Sequence, residues 1–358
     1  DVVEIDFASL YPSIMCVHNL SPETVRCDCH DSDDVPGLGY SVCDRPGFVP
    51  SVLRPIIEDR AAFKRRRRAT DDPDERARLD ARVSALKWIL VTCFGYQGFK
   101  NSKFGRIEVH EAINALAREL LLDAKSRLEA GGWRVVHGIV DSLWVTPARA
   151  DPEPLPSVTD DISETQDIPL EHEDDFEWVA FVPTADGRRG ALTKYFGKVA
   201  GRDEYKFRGI ECRQRSTPDF VADAQRDLVR VLDDHRDPEP VADRLAVHLT
   251  TVRGGGVDPA ELVVTTRVSK PLSGYSQRTR TVAALERYAD HGMDRRPGQS
   301  VRYVVVDDGK RSRARVRLPF EADEYDPEFY ADLLVRAARS VLAQLGWDRD
   351  RIERYLRD

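Results

Sequence analysis

Asp1-Val-Val-Glu-Ile-Asp6-Phe-Ala-Ser-Leu-Tyr11-Pro-Ser-Ile-Met15 opens the chain. Val2, Val3 and Ile5 are β-branched, so the segment reads as a buried strand. It ends on a carboxylate, Asp6, then turns through Ser9 to Tyr11-Pro12, where apolar residues resume. A carboxylate at a strand tip, followed by a tight turn with free backbone N–H groups, can hold a divalent cation beside a polyphosphate. The plainer alternative is an ordinary buried strand with an exposed Asp.

The chain has 358 residues, enough for roughly two or three domains with a real core. It does not start with Met and begins inside a strand, so a fragment of something longer is expected. There is no signal peptide and no apolar run long enough to span a membrane, which predicts a soluble, intracellular protein. Net charge is −8, with 32% charged residues. Phosphate binding wants a positive field, but sign is a property of faces rather than averages. Arg is clustered at 65–68 and 311–317, while acidic residues collect at 31–34 and 171–175.

Cys27, Cys29 and Cys43 gather with His30 in one loop. Three thiols and an imidazole could bind zinc, although the spacing fits no standard finger. Free thiols or a structural disulfide are the other readings.

Residues 51 to about 69 read as a helix on Val52, Ile56, Ile57 and Phe63. Thr70-Asp-Asp-Pro73-Asp74 marks a turn and a helix start. A second helix runs from about Glu75 to Phe94 on Leu79, Val83, Leu86, Leu90 and Phe94. Two helices joined this closely make an antiparallel pair. Arg60 and Lys64 are four apart and share a face, with Lys87 on the returning helix. Cations converging from two helices would clamp a triphosphate, whereas Arg65 to Arg68 read as a solvated face.

A long amphipathic helix over 107–130 ends at Gly131-Gly132. Residues 133–145 read as a strand, a tight Gly-containing turn carrying Asp141 and Ser142, and a second strand. Residues 149–175 read as a partly irregular surface connection. Phe176–Val182 and Gly190–Phe196 read as strands. Helices are expected over 220–233 and 241–252, then a flexible Gly254-Gly255-Gly256 link and a small β patch at 300–307.

Asp6-Phe-Ala-Ser-Leu-Tyr11-Pro-Ser-Ile14 resembles motif A of the family B DNA polymerases, D-x-x-S-L-Y-P-S-I, without a gap. Lys87 sits where that family has the Lys of motif B, in a stretch ending Phe94-Gly95-Tyr96, though Val91 and Thr92 replace its Asn-Ser. His137-Gly-Ile139-Val-Asp141-Ser142 resembles motif C, Y-G-D-T-D-S, with Ile139 in place of the first Asp. Lys194-Tyr195 resembles the K-K-x-Y strand, Leu192 and Thr193 replacing the paired Lys. Arg208-Gly209-Ile-Glu211 matches the R-G-x-E element, and 263–275 is similar to the thumb segment.

The resemblance implies an α+β right-hand polymerase fold, with an antiparallel-sheet palm, two-helix antiparallel fingers and a mostly helical thumb. It divides the chain into palm (1–50), fingers (51–100), palm (101–215) and thumb (216–358). It implies template-directed addition of dNTPs to a primer 3′-hydroxyl by two-metal nucleotidyl transfer, in DNA replication or repair. Asp6 and Asp141 would be catalytic. With the Phe7 carbonyl they would hold two Mg²⁺, for which Mn²⁺ could substitute. Ser9, Leu10, Tyr11, Arg60, Lys64 and Lys87 would bind the nucleotide, Tyr11 as a steric gate against the ribose 2′-hydroxyl. Lys194, Tyr195, Arg208, Gly209, Arg267 and Lys270, with the 311–317 run, would touch primer–template DNA. Cys29 and Cys43 fall where archaeal members can form a disulfide.

The implied setting is a cytoplasmic, nucleoid-associated prokaryotic protein of archaeal type. A sliding clamp is a candidate partner, and no membrane is expected. Ile139 and the altered motif B predict weakened catalysis. The alternative is a polymerase-derived DNA-binding or regulatory protein without turnover; a template-independent transferase is a third option.

Overall fold

The computed structural model describes residues 2–29, 31–184 and 189–357. The chain is of mixed α and β type with antiparallel sheets. It divides into two compact units, Asp1–Phe176 and Glu177–Asp358. That division falls inside the 101–215 segment expected to be one part.

In the first unit, β1 (Val2–Phe7) leads into α1 (Leu10–Val17) through Ser9, whose backbone is left-handed at φ 51°. Helix α2 (Phe48–Ala69) starts after Gly47, slightly before the expected position. Helix α3 (Pro73–Gln97) returns against it, with the Asp72 carboxylate accepting from the Asp74 N–H and Pro73 in the first turn. Leu79, Val83 and Leu90 are buried, as their spacing predicts. Helix α4 (Ile107–Ala130) buries Val109, Ile113, Leu116, Leu120 and Leu128 and stops at Gly131.

The hairpin of β2 (Trp133–Ile139) and β3 (Ser142–Pro147) pairs Ile139 with Ser142. Its turn is therefore Val140-Asp141 and contains no glycine, contrary to expectation. Val140 takes the positive φ, 56°. Gly138 lies within β2 instead, where a Cβ would come 3.0 Å from the Leu143 side chain.

The 149–175 segment is also more ordered than its composition suggests. It contains α5 (Leu155–Gln166), which buries Val158, Thr159 and Ile162, and the start of β4 (Leu170–Pro183). The residues of β4 over 170–176 are mostly acidic, with poor strand propensity. Pairing to β1 overrides that propensity, because context dominates strand formation. The order in this unit is β2-β3-β1-β4, with β1 antiparallel to both neighbours.

In the second unit, β5 (Gly190–Val199) pairs antiparallel with β6 (Tyr205–Arg208). Gly209 follows at φ 65°, where a Cβ would sit 2.1 Å from the Thr193 carbonyl oxygen, so only glycine fits. Helices α6 (Asp219–His235) and α7 (Pro238–Arg253) come next. The glycines after α7 close its end: Gly254 N–H donates to the Thr250 carbonyl and Gly256 N–H to that of Thr251. They form a capped helix terminus rather than the expected flexible link.

Strand β7 (Val264–Arg267), α8 (Arg280–Asp290), β8 (Ser300–Val305) and β9 (Val316–Arg317) follow, the strands forming a three-stranded sheet in the order β7-β8-β9. Helices α9 (Pro327–Leu342) and α10 (Arg349–Tyr355) complete the unit. Its core packs Leu228, Val229, Leu245, Tyr330, Leu334 and Val341 together.

One amide organises this core. Gln225 is fully buried, accepts from the Cys212 N–H at 2.7 Å, and donates to Glu211 and to the Ala337 carbonyl, each at 2.8 Å. Gln225→Leu keeps the volume and strands three polar groups, each costly when buried unpaired. The substitution should lower stability by about 3 kcal/mol, read as a shift in the urea midpoint.

Candidate active site

Asp6 stands near the end of β1, in register with Ser142 on β3 and Glu171 on β4. The Ser142 hydroxyl donates to Asp6 Oδ1 at 3.1 Å. The next residue, Phe7, donates its N–H to the Asp141 carbonyl at 2.8 Å. The hairpin tip is thus fastened to β1, bringing Asp6 and Asp141 side by side from distant parts of the sequence. Val140 holds the tip in a backbone region that β-branched residues avoid, at a cost of about 1–3 kcal/mol.

The two carboxylates compete. Burial pushes the Asp6 carboxyl up to about 7, the Asp141 charge adds to this, the Ser142 hydrogen bond opposes it, and Glu173 and Glu4 add further. A partly buried acid held beside other acids is a donor set that a divalent cation would neutralise. The chemistry of the residues present therefore fits a hard cation.

Around this pair lie most of the nucleotide-binding candidates. Arg60 on α2 donates to the Ser9 hydroxyl at 3.1 Å, and its buried Nε has no hydrogen-bond partner. Lys64, one turn on, pairs with Glu171 at 3.3 Å. Leu10 and Tyr11 open α1, so their N–H groups lie in its first turn. The Tyr11 phenol is raised above its usual range, first by burial and then by the Asp141 charge, which places it beside the acidic pair. Lys87 is exposed on α3 and makes no ion pair among the described residues. The geometry around Asp6 brings Arg60 and Lys64 into its charge environment but shows no contact joining Lys87 to them.

Phe94, near the end of α3, stacks on Tyr11 with ring centroids 4.1 Å apart. On its other face His110 of α4 stacks at 4.2 Å. Val91 is exposed, and the Thr92 hydroxyl bonds back to the Ile89 carbonyl at 2.9 Å, so neither replaces the missing amide. Ile139 lies at the neck of the hairpin and brings no carboxylate there.

Sequence reasoning missed Glu171 and His110. Glu171 was hidden by reading its segment as a loop. Leu170 and Phe176, apolar residues bracketing the acids, were the available signal. Nothing in the local sequence marks His110 as a stacking partner.

The expected DNA contacts lie in the second unit. Arg208, Arg267 and Lys270 are exposed and form no ion pair among the described residues. Lys194 lies 4.0 Å from Glu211. Tyr195 is 4% exposed, with its ring 5.8 Å from that of Phe181, so it packs inside the unit. Gly209 packs closely against the Thr193 backbone. Within the 311–317 run, Arg313 is paired with Asp290 and Arg315 with Asp308.

No disulfide joins any two of the six cysteines. Cys29 and Cys43 sulfurs are 3.5 Å apart, so the disulfide implied by the resemblance is not formed. His30 lies outside the described residues.

With acidic strand ends and flanking cations in place, comparison with known proteins shows what the chain is similar to. Residues 1–153 match the family model for DNA polymerase family B. The chain is 28% identical to the DNA polymerase of Thermococcus gorgonarius over 362 residues, covering 98% of this chain and 46% of that protein. It is 39% identical over 152 residues to DNA polymerase 2 of Saccharolobus solfataricus, covering 42% of this chain and 22% of that protein. The solved family B DNA polymerase of Pyrobaculum calidifontis superposes with a TM-score of 0.64 at 25% identity, covering 97% of this chain and 46% of that one.

The chain is thus similar to archaeal family B DNA polymerases along nearly its whole length, and its first 153 residues match that family's model. It spans about half the length of these long-matching relatives. No helix among the described residues is long and apolar enough to cross a membrane.

Asp6 carries a pH signature. Its folded pKa of about 7 lies above the ordinary 3.8, so the folded chain holds the proton more tightly than the unfolded one. The associated stability is present below the unfolded value and lost as pH rises through about 7. In metal-free buffer, Asp6→Asn should be more stable than the parent at pH 8 by on the order of 1–3 kcal/mol. Urea unfolding with a chelator should show that difference shrinking toward pH 5.

Proposed function

We propose that this chain is the polymerising portion of a template-directed DNA polymerase, adding dNTPs to a primer 3′-hydroxyl by two-metal nucleotidyl transfer. The observation that carries the reading is the meeting of Asp6 and Asp141 at adjoining strand ends, fastened by the Phe7–Asp141 backbone bond. Homology to family B polymerases supports it.

Asp6, Asp141 and the Phe7 carbonyl would hold Mg²⁺, with Mn²⁺ as substitute. When bound, the cations supply Lewis-acid stabilisation of the phosphoryl, attacking and leaving oxygens. Arg60 offers an unpartnered buried donor to the triphosphate. Lys64 exchanges Glu171 for the same group. The first-turn N–H groups of α1 receive phosphate oxygens, as helix N-termini do. Tyr11, braced by Phe94, holds its ring rigid against the sugar and excludes a 2′-hydroxyl. Lys87 shares a face of α3 with the exposed Val91, four residues on, and the neighbouring Trp88 and Ile89 are exposed as well, apolar surface suited to a nucleotide or a base pair. Arg208, Arg267 and Lys270 supply sequence-independent contacts to DNA phosphates.

A second reading has its own support in Ile139, which leaves the hairpin one carboxylate short, and in the Lys64–Glu171 pair, which occupies a nucleotide-binding cation. On that reading the chain binds DNA without turnover.

Primer extension with Mg²⁺ and with Mn²⁺ separates the two. Under the first, extension is measurable and Asp141→Ala lowers it by about 10³-fold or more, since metal contacts contribute several kcal/mol to the barrier. DNA binding equal in both proteins, with no extension in either metal, would establish the second.

A further inference from the structure

Cys27, Cys29 and Cys43 form a cluster that polymerisation does not use. The Cys27–Cys29 sulfur separation is 3.0 Å and the Cys29–Cys43 separation 3.5 Å, and all three sulfurs lie within 4.8 Å of one another. They line a pocket of about 390 Å³, beside Glu23 and Arg45. Two arms of one loop bring them together. Cys43 N–H donates to the Thr24 carbonyl at 2.9 Å, and Arg26 N–H to that of Ser41 at 2.7 Å. The Asn19 amide then anchors the second arm, donating to the Cys43 and Arg45 carbonyls at 2.7 and 2.8 Å and accepting from the Gly47 N–H at 2.8 Å. Gly47 precedes α2.

Zinc–thiolate bonds of about 2.3 Å in a tetrahedron separate neighbouring sulfurs by about 3.8 Å. The two separations at Cys29, 3.0 and 3.5 Å, are within about 1 Å of that spacing before any ion is added. Three is also the wrong number for oxidation within the loop: a disulfide between any two leaves the third unpaired. A soft divalent cation uses all of them.

We propose that Cys27, Cys29 and Cys43 form a structural zinc site that clips the two arms of this loop and fixes the entry to α2. The three thiols lose their protons on binding, so the site is filled at neutral pH and emptied by acid or chelator. The inference does not depend on the polymerase reading.

The test uses the whole chain, purified with its thiols reduced, supplied with Zn²⁺ and passed through gel filtration. Metal analysis should find about one zinc per chain. Co²⁺ in its place should give thiolate-to-cobalt charge-transfer absorption. Cys27→Ser and Cys43→Ser should each weaken zinc retention by at least about 10-fold, while Cys212→Ala, in the other unit, retains it. Circular dichroism separates loss of the site from loss of the fold. The parent settles the matter even if both serine variants misfold. No retained zinc and no charge-transfer band with reduced thiols overturns the proposal, as does a Cys29–Cys43 disulfide in the unreduced chain without zinc. Zinc held equally by well-folded Cys27→Ser and Cys43→Ser also overturns it.

Discussion

The antiparallel pairing of β1 with the β2–β3 hairpin is the constraint on which the rest of the first unit depends. Its register, Ile5 to Leu143 and Asp6 to Ser142, buries one apolar row and leaves polar ends at one edge. A slip of one residue would turn Ile5 and Phe7 outward and Asp6 inward, so the core enforces the position of the acid. The bond from Phe7 to the Asp141 carbonyl adds a second lock, at the residue where regular pairing gives way to the turn. Packing and chemistry are thus specified by the same few residues.

The acidic neighbourhood follows from that register. β4 lies on the other side of β1 and contributes Glu171 opposite Asp6. Lys64 and Arg60 offset part of this negative charge from α2. Net charge −8 says nothing of this local balance. What matters is that α2 sets Arg60 and Lys64 against the strand carboxylates Asp6 and Glu171.

Much of this was legible in the chain's own order of residues. The first strand, the helix pair and the long helix over 107–130 carry strong periodicity, and their apolar positions are buried nearly as their spacing predicts. The acidic stretch of β4 was not legible, because its strand state comes from β1 and not from its own residues. The Val140 turn was hidden for a related reason: a β-branched residue at positive φ is tolerated only where flanking pairs hold it. Tyr195 and Arg315 look alike from sequence, as polar side chains near expected DNA contacts. Only packing distinguishes a buried ring and a paired guanidinium from free surface.

The file of three rings, Tyr11, Phe94 and His110, ties α1, α3 and α4 at one level. Phe94 sits near the C-terminal end of α3, while the α2–α3 connection at residues 70–72 lies at the far end of the pair. Displacing the Phe94 end would uncover two aromatic faces at once. Bending of the pair is therefore cheapest away from that end, and the stacked rings act as its fulcrum, with the residue 70–72 tip as the long arm.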